Sequence, residues 1–530
     1  MKQASADTRK IARSAGTVGF AVMCSRVLGL IREQVFAFFF GAGYAYDSFV
    51  VAFRIPNLLR DLFGEGALSA AFVAVFSDYN ATRDKEQTWR LANNVLVFFA
   101  LFLSLLTLLG IYFSEEIVLL LVKGEFELEP GKVALTSLLT MIMFPFLILI
   151  SLSAVVMGAL NSKGRFFVPA MASSFFNLGS IIGGLGFAYL FHRMGQPAIA
   201  GMAVGTLIGG ILQLGCQLPL LHKVGFRFRP VLDLTDPGLH RVLMLMVPAV
   251  IGLSATQLNI FVNTNFASSC EQGSVSWLQY AFRLMQLPIG LFGVALSMAS
   301  LPLISRYAAR KEFAELKEAF VSSLVMGFCL SIPAACGLWI LAEPIVGVLF
   351  GHGSFGGTDV LRTAEAVRFY SLGLFAYAAV KITAPVFYAL GDTKYPVFGS
   401  FIGVGVNLLL VISLIDALSY KATALSLSGA MACNFLFLFV VLYRKLAGLS
   451  LAYVGRGLLK IFVAAALMSL SVAGLARLFE AGLNGTLLLQ IGSLLLCIVG
   501  GILVYGGLLY ALRMEELEAL LDKVMARVKG

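Results

Sequence analysis

The chain has 530 residues, 59% of them hydrophobic and only 13% charged, with a mean hydropathy of +0.90. An average soluble protein carries about 25% charged residues, so the composition excludes a soluble globular enzyme and describes a polytopic, all-α membrane protein. The formal net charge of +10 would suit a nucleic-acid partner, but it is concentrated in polar connections on one side of the apolar segments and reads as an orientation signal, with no nucleic acid implied.

The first fifteen residues, MKQASADTRKIARSA, are polar and basic, and no short apolar stretch with a small-residue cleavage site follows them, so no cleaved signal peptide is expected. A spanning helix needs about 20 mainly apolar residues. Fourteen candidate segments follow: 16–40, 47–77, 91–113, 133–160, 168–191, 198–221, 242–268, 274–305, 319–342, 369–390, 395–415, 422–443, 458–478 and 486–512. An even number puts both termini on one side. The termini and the connections on their side, taken with Lys460 at the near end of segment 458–478, hold 26 Lys and Arg, whereas the opposite connections, taken with Arg477 at the far end of that segment, hold seven: Lys123, Lys132, Arg193, Arg362, Arg368, Lys421 and Arg477. The positive-inside rule therefore places both termini in the cytoplasm. The seven cysteines lie scattered in apolar runs without a C-x-x-C pair, and the four histidines fall in connections, so neither a metal site nor a cofactor is expected.

Six basic residues remain inside the apolar segments: Arg26, Arg32, Arg54, Arg60, Arg283 and Lys381. Five belong to segments 1, 2 and 8, and segments 2 and 8 resemble each other. LFGEGALSAAFVAVFSDY (62–79) and LFGVALSMASLPLISRY (291–307) share A-L-S and a later S-x-Y in register at an offset of 228 residues. Six segments separate the copies, so both run in the same direction. Two six-helix lobes related by a parallel pseudo-two-fold repeat are expected, followed by two extra helices. The corresponding division is 1–225, 226–445 and 446–530. Each copy also carries a proline, Pro56 and Pro288, which predicts a bend at membrane depth and a polar cavity between lobes.

At 1.5 Å per residue, Arg26 lies about 15 Å into segment 1 and Arg283 about 14 Å into segment 8, near the middle of a roughly 30 Å hydrocarbon core. An arginine facing lipid there costs about 2.5–3.5 kcal/mol. These side chains must face water, a carboxylate or an anionic ligand. The acids at hand are Glu33, Asp47, Asp61 and Glu65. Pairing with them would make the arginines structural; an excess of arginine makes an anion site, because a guanidinium fork suits phosphate. Lys381 has no second charge beside it in sequence and is a secondary candidate, read first as structural pairing or packing.

The blocks SRVLGLIRE (25–33), GAGYAYDSFVVAFRIPNLLRDLFGEGALSAAFVAVFSDY (41–79), GSVSWLQYAFRLMQLPIGLFGVALS (273–297) and VKITAPVFYALGDTKYP (380–396) resemble the MurJ, or MviN-type, lipid II flippases of the multidrug/oligosaccharidyl-lipid/polysaccharide exporter superfamily. The resemblance implies export of lipid II, the undecaprenyl-pyrophosphate-linked peptidoglycan precursor, from the inner to the outer leaflet of the bacterial cytoplasmic membrane. It implies that Arg26, Arg32 and Arg283 bind substrate, that Asp47 is transport-essential, that Arg60 and Glu65 gate, and that Arg54 occupies a further basic position. Cell-wall synthesis proteins become candidate partners beside the bilayer. Two departures stand out. Phe282 replaces an acid that some relatives carry before the segment 8 arginine. The apolar cores of segments 9 to 14 hold no carboxylate for a cation, with Asn407 the nearest polar candidate.

The expected mechanism is alternating access, with the pyrophosphate on Arg26, Arg32 and Arg283, the lipid tail along segments 13 and 14, and the membrane potential as driver. The alternative is an exporter of another lipid-linked oligosaccharide. Enzymatic chemistry on a lipid pyrophosphate would call for a base, nucleophile or metal-binding acids, and no segment contains a histidine or an acidic pair such as D-x-D. A scaffold of the cell-wall machinery would tolerate loss of the arginines. The tail MEELEALLDKVMARVKG reads as a membrane-surface or capping helix.

Overall fold

The computed structural model describes residues 2–64 and 66–516, with side chains from Thr17 onward. Glu65 and most of the tail therefore lie outside the described residues. Among the described residues the structure is helical throughout, without strands. Among the described residues eleven helices are long and apolar enough to cross a membrane, or twelve if Gly357–Ser371 and Leu374–Ala389, bent by 45°, form one span. Lys2–Phe40, Tyr44–Phe63 and Ala67–Thr82 are not among them: Tyr44–Phe63 carries Asp47, Arg54, Arg60 and Asp61, and Ala67–Thr82 is only 16 residues long.

Several boundaries differ from the hydropathy reading. Segment 2 is two helices, broken at Gly64–Gly66 rather than at Pro56, which lies inside Tyr44–Phe63. A Cβ on Gly66 would lie 2.0 Å from the Asp61 carbonyl oxygen and 2.7 Å from Leu253 Cδ1, so the break needs a residue without a side chain. Segment 8 runs as Ser274–Pro288, a π-helical stretch Ile289–Val294, and Ala295–Arg310. Segment 10 starts at Gly357, twelve residues before its apolar run, because its first turns are amphipathic. Short helices Ser114–Leu121, Glu125–Leu128 and Ala342–Phe350 occupy connections.

Helix boundaries recur at a constant spacing. Helices start at Ala67, Lys85, Ser114 and Phe146 and again 228 residues later at Ala295, Phe313, Ala342 and Leu374. They end at Phe40, Thr82, Tyr112 and Met143, and at Ser268, Arg310, Ile340 and Ser371. The Gly64–Gly66 break falls opposite the end of the π-helical stretch. A wide turn there and the interruption of the helix at Gly64–Gly66 both leave backbone that lipid cannot satisfy.

The chain divides into two compact units, Met1–Ser276 and Trp277–Gly530. In the first, Phe72, Phe76, Phe99, Leu147 and Leu160 form the core with Leu239, Val242 and Met246 of helix Pro237–Ser268. Helices Phe167–Arg193 and Ala198–Gly215 meet through Gly201, Gly205 and Gly209; a Cβ on Gly205 would lie 2.5 Å from Gly184 Cα. Such small-residue stripes let helices pack where burial of apolar surface gives no drive. The strap 224–236 is sewn to helix Lys85–Tyr112 by Asn93, which donates to the Arg227 carbonyl at 3.0 Å and accepts from the Arg229 amide at 2.9 Å, and by Asn94, which does the same for Asp233 at 2.8 and 2.9 Å. In the second unit, helices Leu451–Leu478 and Leu487–Ala511 pack on Phe313–Ile340, and the Tyr505 hydroxyl donates to the Cys329 carbonyl at 2.8 Å.

Candidate functional site

The first unit holds most of the charges singled out from sequence. Arg26 lies exposed on helix Lys2–Phe40. Near it, Asn177 Nδ2 donates to the Ser25 carbonyl at 3.2 Å, fixing this helix against Phe167–Arg193. Arg32 is 14% exposed: Nη2 donates to Glu33 Oε1 at 3.1 Å, the guanidinium lies 5.4 Å from the Phe176 ring centre, and buried Nε has no partner. Glu33 is 3% exposed and also accepts from the Tyr46 hydroxyl at 2.6 Å. Arg32 is thus paired on one edge and still has donor capacity on another.

Arg54 and Arg60 lie half-buried on helix Tyr44–Phe63. Arg60 forks onto Asp61 Oδ1 from Nε at 3.2 Å and Nη2 at 2.9 Å, and Gln257 Nε2 donates to Oδ2 at 3.0 Å. Asp61, two residues before the helix end, is therefore one partner of Arg60. Glu65, the other expected gating residue, lies outside the described residues.

Among the described residues Asp47 pairs with Lys132 rather than with an arginine. Its carboxylate, 1% exposed, accepts from Lys132 Nζ at 3.0 Å, from the Gly273 and Ser276 amides at 2.9 and 3.0 Å, and from Ser276 Oγ at 2.6 Å. Sequence reasoning missed Lys132, counting it with the charges of an outer connection. The visible signal was its position directly before the apolar run VALTSLLTMIM, after the left-handed Gly131.

In the second unit Arg283 is half-buried on helix Ser274–Pro288, and its Nη1 reaches Gln286 Oε1 at 3.4 Å. Phe282, the departure from an acid, packs its ring 5.5 Å from Tyr370 and 6.5 Å from Tyr377. Lys381 is exposed, on the side of helix Leu374–Ala389 that meets the π-helical stretch: a Cβ on Gly293 would lie 3.5 Å from Lys381 Cβ. Asn407 is buried and accepts from Ser426 Oγ at 2.8 Å, which ties two helices together. Among the described residues no group of three or more His, Cys, Asp or Glu converges as a metal site.

Chemically, these side chains offer guanidinium donors in segments otherwise built for lipid. They can receive a multiply charged oxyanion through several charge-assisted hydrogen bonds, and they present no base beside a nucleophile.

The family model described as "Lipid II flippase MurJ" matches residues 36–492. A "Probable lipid II flippase MurJ" from Buchnera aphidicola subsp. Acyrthosiphon pisum is 36% identical over 429 residues, covering 81% of this chain and 83% of that protein. Among solved structures, "Lipid II flippase MurJ, inward closed conformation" superposes with a TM-score of 0.77 at 27% identity, covering 93% of this chain and 99% of the other. A multidrug resistance transporter of the MATE family, in the MOP superfamily, shares the fold with a TM-score of 0.69 at 12% identity over 81% of this chain and 94% of the other.

Proposed function

The chain belongs to the MurJ family of lipid II flippases, and from that premise we propose that it carries lipid II from the inner to the outer leaflet by alternating access, holding the pyrophosphate on Arg26, Arg32 and Arg283. It is a transporter of the bacterial inner membrane and catalyses no covalent change. The observation that carries the site assignment is Arg32, which keeps a buried Nε without a partner even while Nη2 is paired to Glu33. A guanidinium so placed has donors to give to a ligand. Arg26, exposed on the same helix, would cost about 2.5–3.5 kcal/mol if it faced lipid, so it belongs in a wet, anion-binding chamber. Asp47, Arg54, Arg60 and Glu65 serve the conformational cycle, and Lys381, beside the π-helical stretch, is a secondary contact.

The same reading gives fourteen spans: the apolar helices, the bent pair counted as one, helix Lys2–Phe40, and the broken pair of segment 2. The constant spacing of 228 between helix boundaries supports two parallel repeats, 1–225 and 226–445, followed by the pair and tail in 446–530. The charge count supports cytoplasmic termini. Burying the head group in hydrocarbon is prohibitive, and a negative interior favours outward movement of an anion by about 2.3 kcal/mol per charge per 100 mV.

The test is reconstitution in sealed vesicles with labelled lipid II and a membrane-impermeant reagent reading outer-leaflet exposure. The wild type should export, and Arg26→Ala, Arg32→Ala and Arg283→Ala should each fail while remaining folded. Export that survives all three would remove the arginine site. Competition by another lipid-linked oligosaccharide at equal concentration would favour a broader exporter.

A further inference from the structure

Within the first unit, the turn between helices Pro237–Ser268 and Ser274–Pro288 is held from several sides. A Cβ on Gly43 would lie 3.3 Å from Gln272 Nε2, and one on Gly124 would lie 3.0 Å from Ser269 Cα. The Lys123 amide donates to Ser268 Oγ at 3.1 Å. At the centre sits Asp47, whose two oxygens each take two donors. Oδ1 accepts from Ser276 N and Oγ, and Oδ2 accepts from Gly273 N and Lys132 Nζ. Three of these donors belong to the start of helix Ser274–Pro288, where helical geometry leaves amides without partners.

The fourth donor is of another kind. The Lys132 side chain is only 3% exposed, and its ammonium lies 4.3 Å from the Phe126 ring centre and 6.0 Å from that of Tyr44. A buried ammonium that loses its counter-charge is strongly destabilised, and Asp47 supplies that charge. The two cannot be altered independently. In the second unit, Trp277 Nε1 donates to Asp359 Oδ1 at 2.9 Å, a bond with one formal charge.

We propose that Asp47 and Lys132 form one charge-paired latch on the start of helix Ser274–Pro288, with Lys132 as the positioning residue that keeps the carboxylate aimed at the Gly273 and Ser276 amides. Release of that turn opens the small polar cleft beside it, lined by Glu125, Glu129, Cys270 and Glu271 among others. Lys132 remains Asp47's partner through the release, so the carboxylate is neither stranded nor turned away when the three amide and hydroxyl donors leave. The latch stands on its own geometry; its place on the outer face, and its service to export, rest on the function proposed above.

Cys270 is a native reporter, 9% exposed and on the wall of the cleft. In full-length protein keeping Cys270 as its sole cysteine, labelling by a membrane-impermeant maleimide is followed in sealed vesicles. Lys132→Met should label roughly tenfold faster than the parent, since breaking a buried pair weakens the closed form. Lys132→Arg, which keeps the charge, should label near the parent rate, and Lys132→Gln, which keeps a donor but not the charge, should resemble Lys132→Met. Asp47→Asn should label faster still. Because the pair acts as a unit, Asp47→Asn combined with Lys132→Met should label no faster than Asp47→Asn alone. Thermal melting identifies any variant that fails to fold, and the Gln and Arg variants then carry the comparison. Parent-like labelling of the Met and Gln variants, or multiplied effects in the double variant, overturns the latch. Lipid II export measured on the same vesicles separates the two readings: absent export by the parent sinks the transport reading without touching the latch, and unchanged labelling does the reverse.

Discussion

A guanidinium at bilayer depth is defined by what its edges meet, and Arg32 meets a carboxylate on one and an aromatic face on another. Glu33 holds that arrangement in place with help from Tyr46, thirteen residues away, through a 2.6 Å bond. Tyr46→Phe should therefore cost about 1 kcal/mol of stability, seen as a lower melting temperature in detergent, and should slow export by freeing Glu33 to occupy more of the Arg32 donors. Arg32→Lys keeps the charge but loses the planar fork. With charge-assisted bonds worth about 1.5–3 kcal/mol each, its export should fall roughly tenfold to a hundredfold, and Arg32→Ala should do no better. The arginines stood out in the sequence because a charge inside an apolar run has no ordinary explanation, and Asp47 stood out through the family resemblance. Their partners did not. Asp47 finds Lys132 85 residues away and Ser276 229 residues away, and no local spacing announces either.

At the scale of elements, proline was the visible breaker and glycine the effective one. Helix Tyr44–Phe63 runs through Pro56 and ends only at Gly64, where the Gly66 backbone comes against the Asp61 carbonyl and Leu253. Gly66→Ala should then shift the break, destabilise the protein by about 2 kcal/mol or more, and impair export, because the carboxylate that holds Arg60 lies in the last turn before it. Gly293→Ala, whose Cβ would meet Ala378 Cα at 3.1 Å, should be milder. The strap 224–236 was legible only as a polar connection, since the Asn93 and Asn94 bonds that hold it are long-range. Its Asp233 carboxyl is held below the usual carboxylate range by hydrogen bonds from the Thr235 hydroxyl and amide, with Arg90 adding to the effect. A group whose folded pKa is depressed contributes stability above its unfolded pKa and loses it as pH falls through the folded value. Hydrogen exchange at the Asp233 and Thr235 amides, corrected for intrinsic rates, should show protection lost on acidification below the ordinary carboxylate range. Asp233→Asn should flatten that dependence; an unchanged profile in the variant would assign it elsewhere.

For the molecule as a whole, hydropathy located the apolar stretch of each of the eleven helices fit to span, although several of them begin five to seven residues before it, because lipid demands long uninterrupted apolar helices and little else. One pair of segments suggested a repeat in the sequence, and the boundary spacing of 228 recurs at eight pairs of helix ends, from Phe40 to Phe146 and from Ser268 to Leu374. Apolar side chains facing lipid are interchangeable, so the sequence drifts while the lengths stay. Helices Leu451–Leu478 and Leu487–Ala511 stand outside this repeat and pack on Phe313–Ile340 through Gly457 against Val325 and through the Tyr505 bond to Cys329. In a bilayer, replacing that contact with lipid forfeits packing and a hydrogen bond but exposes nothing to water. A chain ended after residue 445 should therefore still insert and keep its first unit folded, with a modestly lower melting temperature. Its export of lipid II should nevertheless collapse if the long tail travels along this pair, whereas a short-chain analogue of the substrate should be exported by the truncated and the full chain alike. Equal loss for both substrates would make the pair a structural brace, and full activity on both would take it out of the transport path.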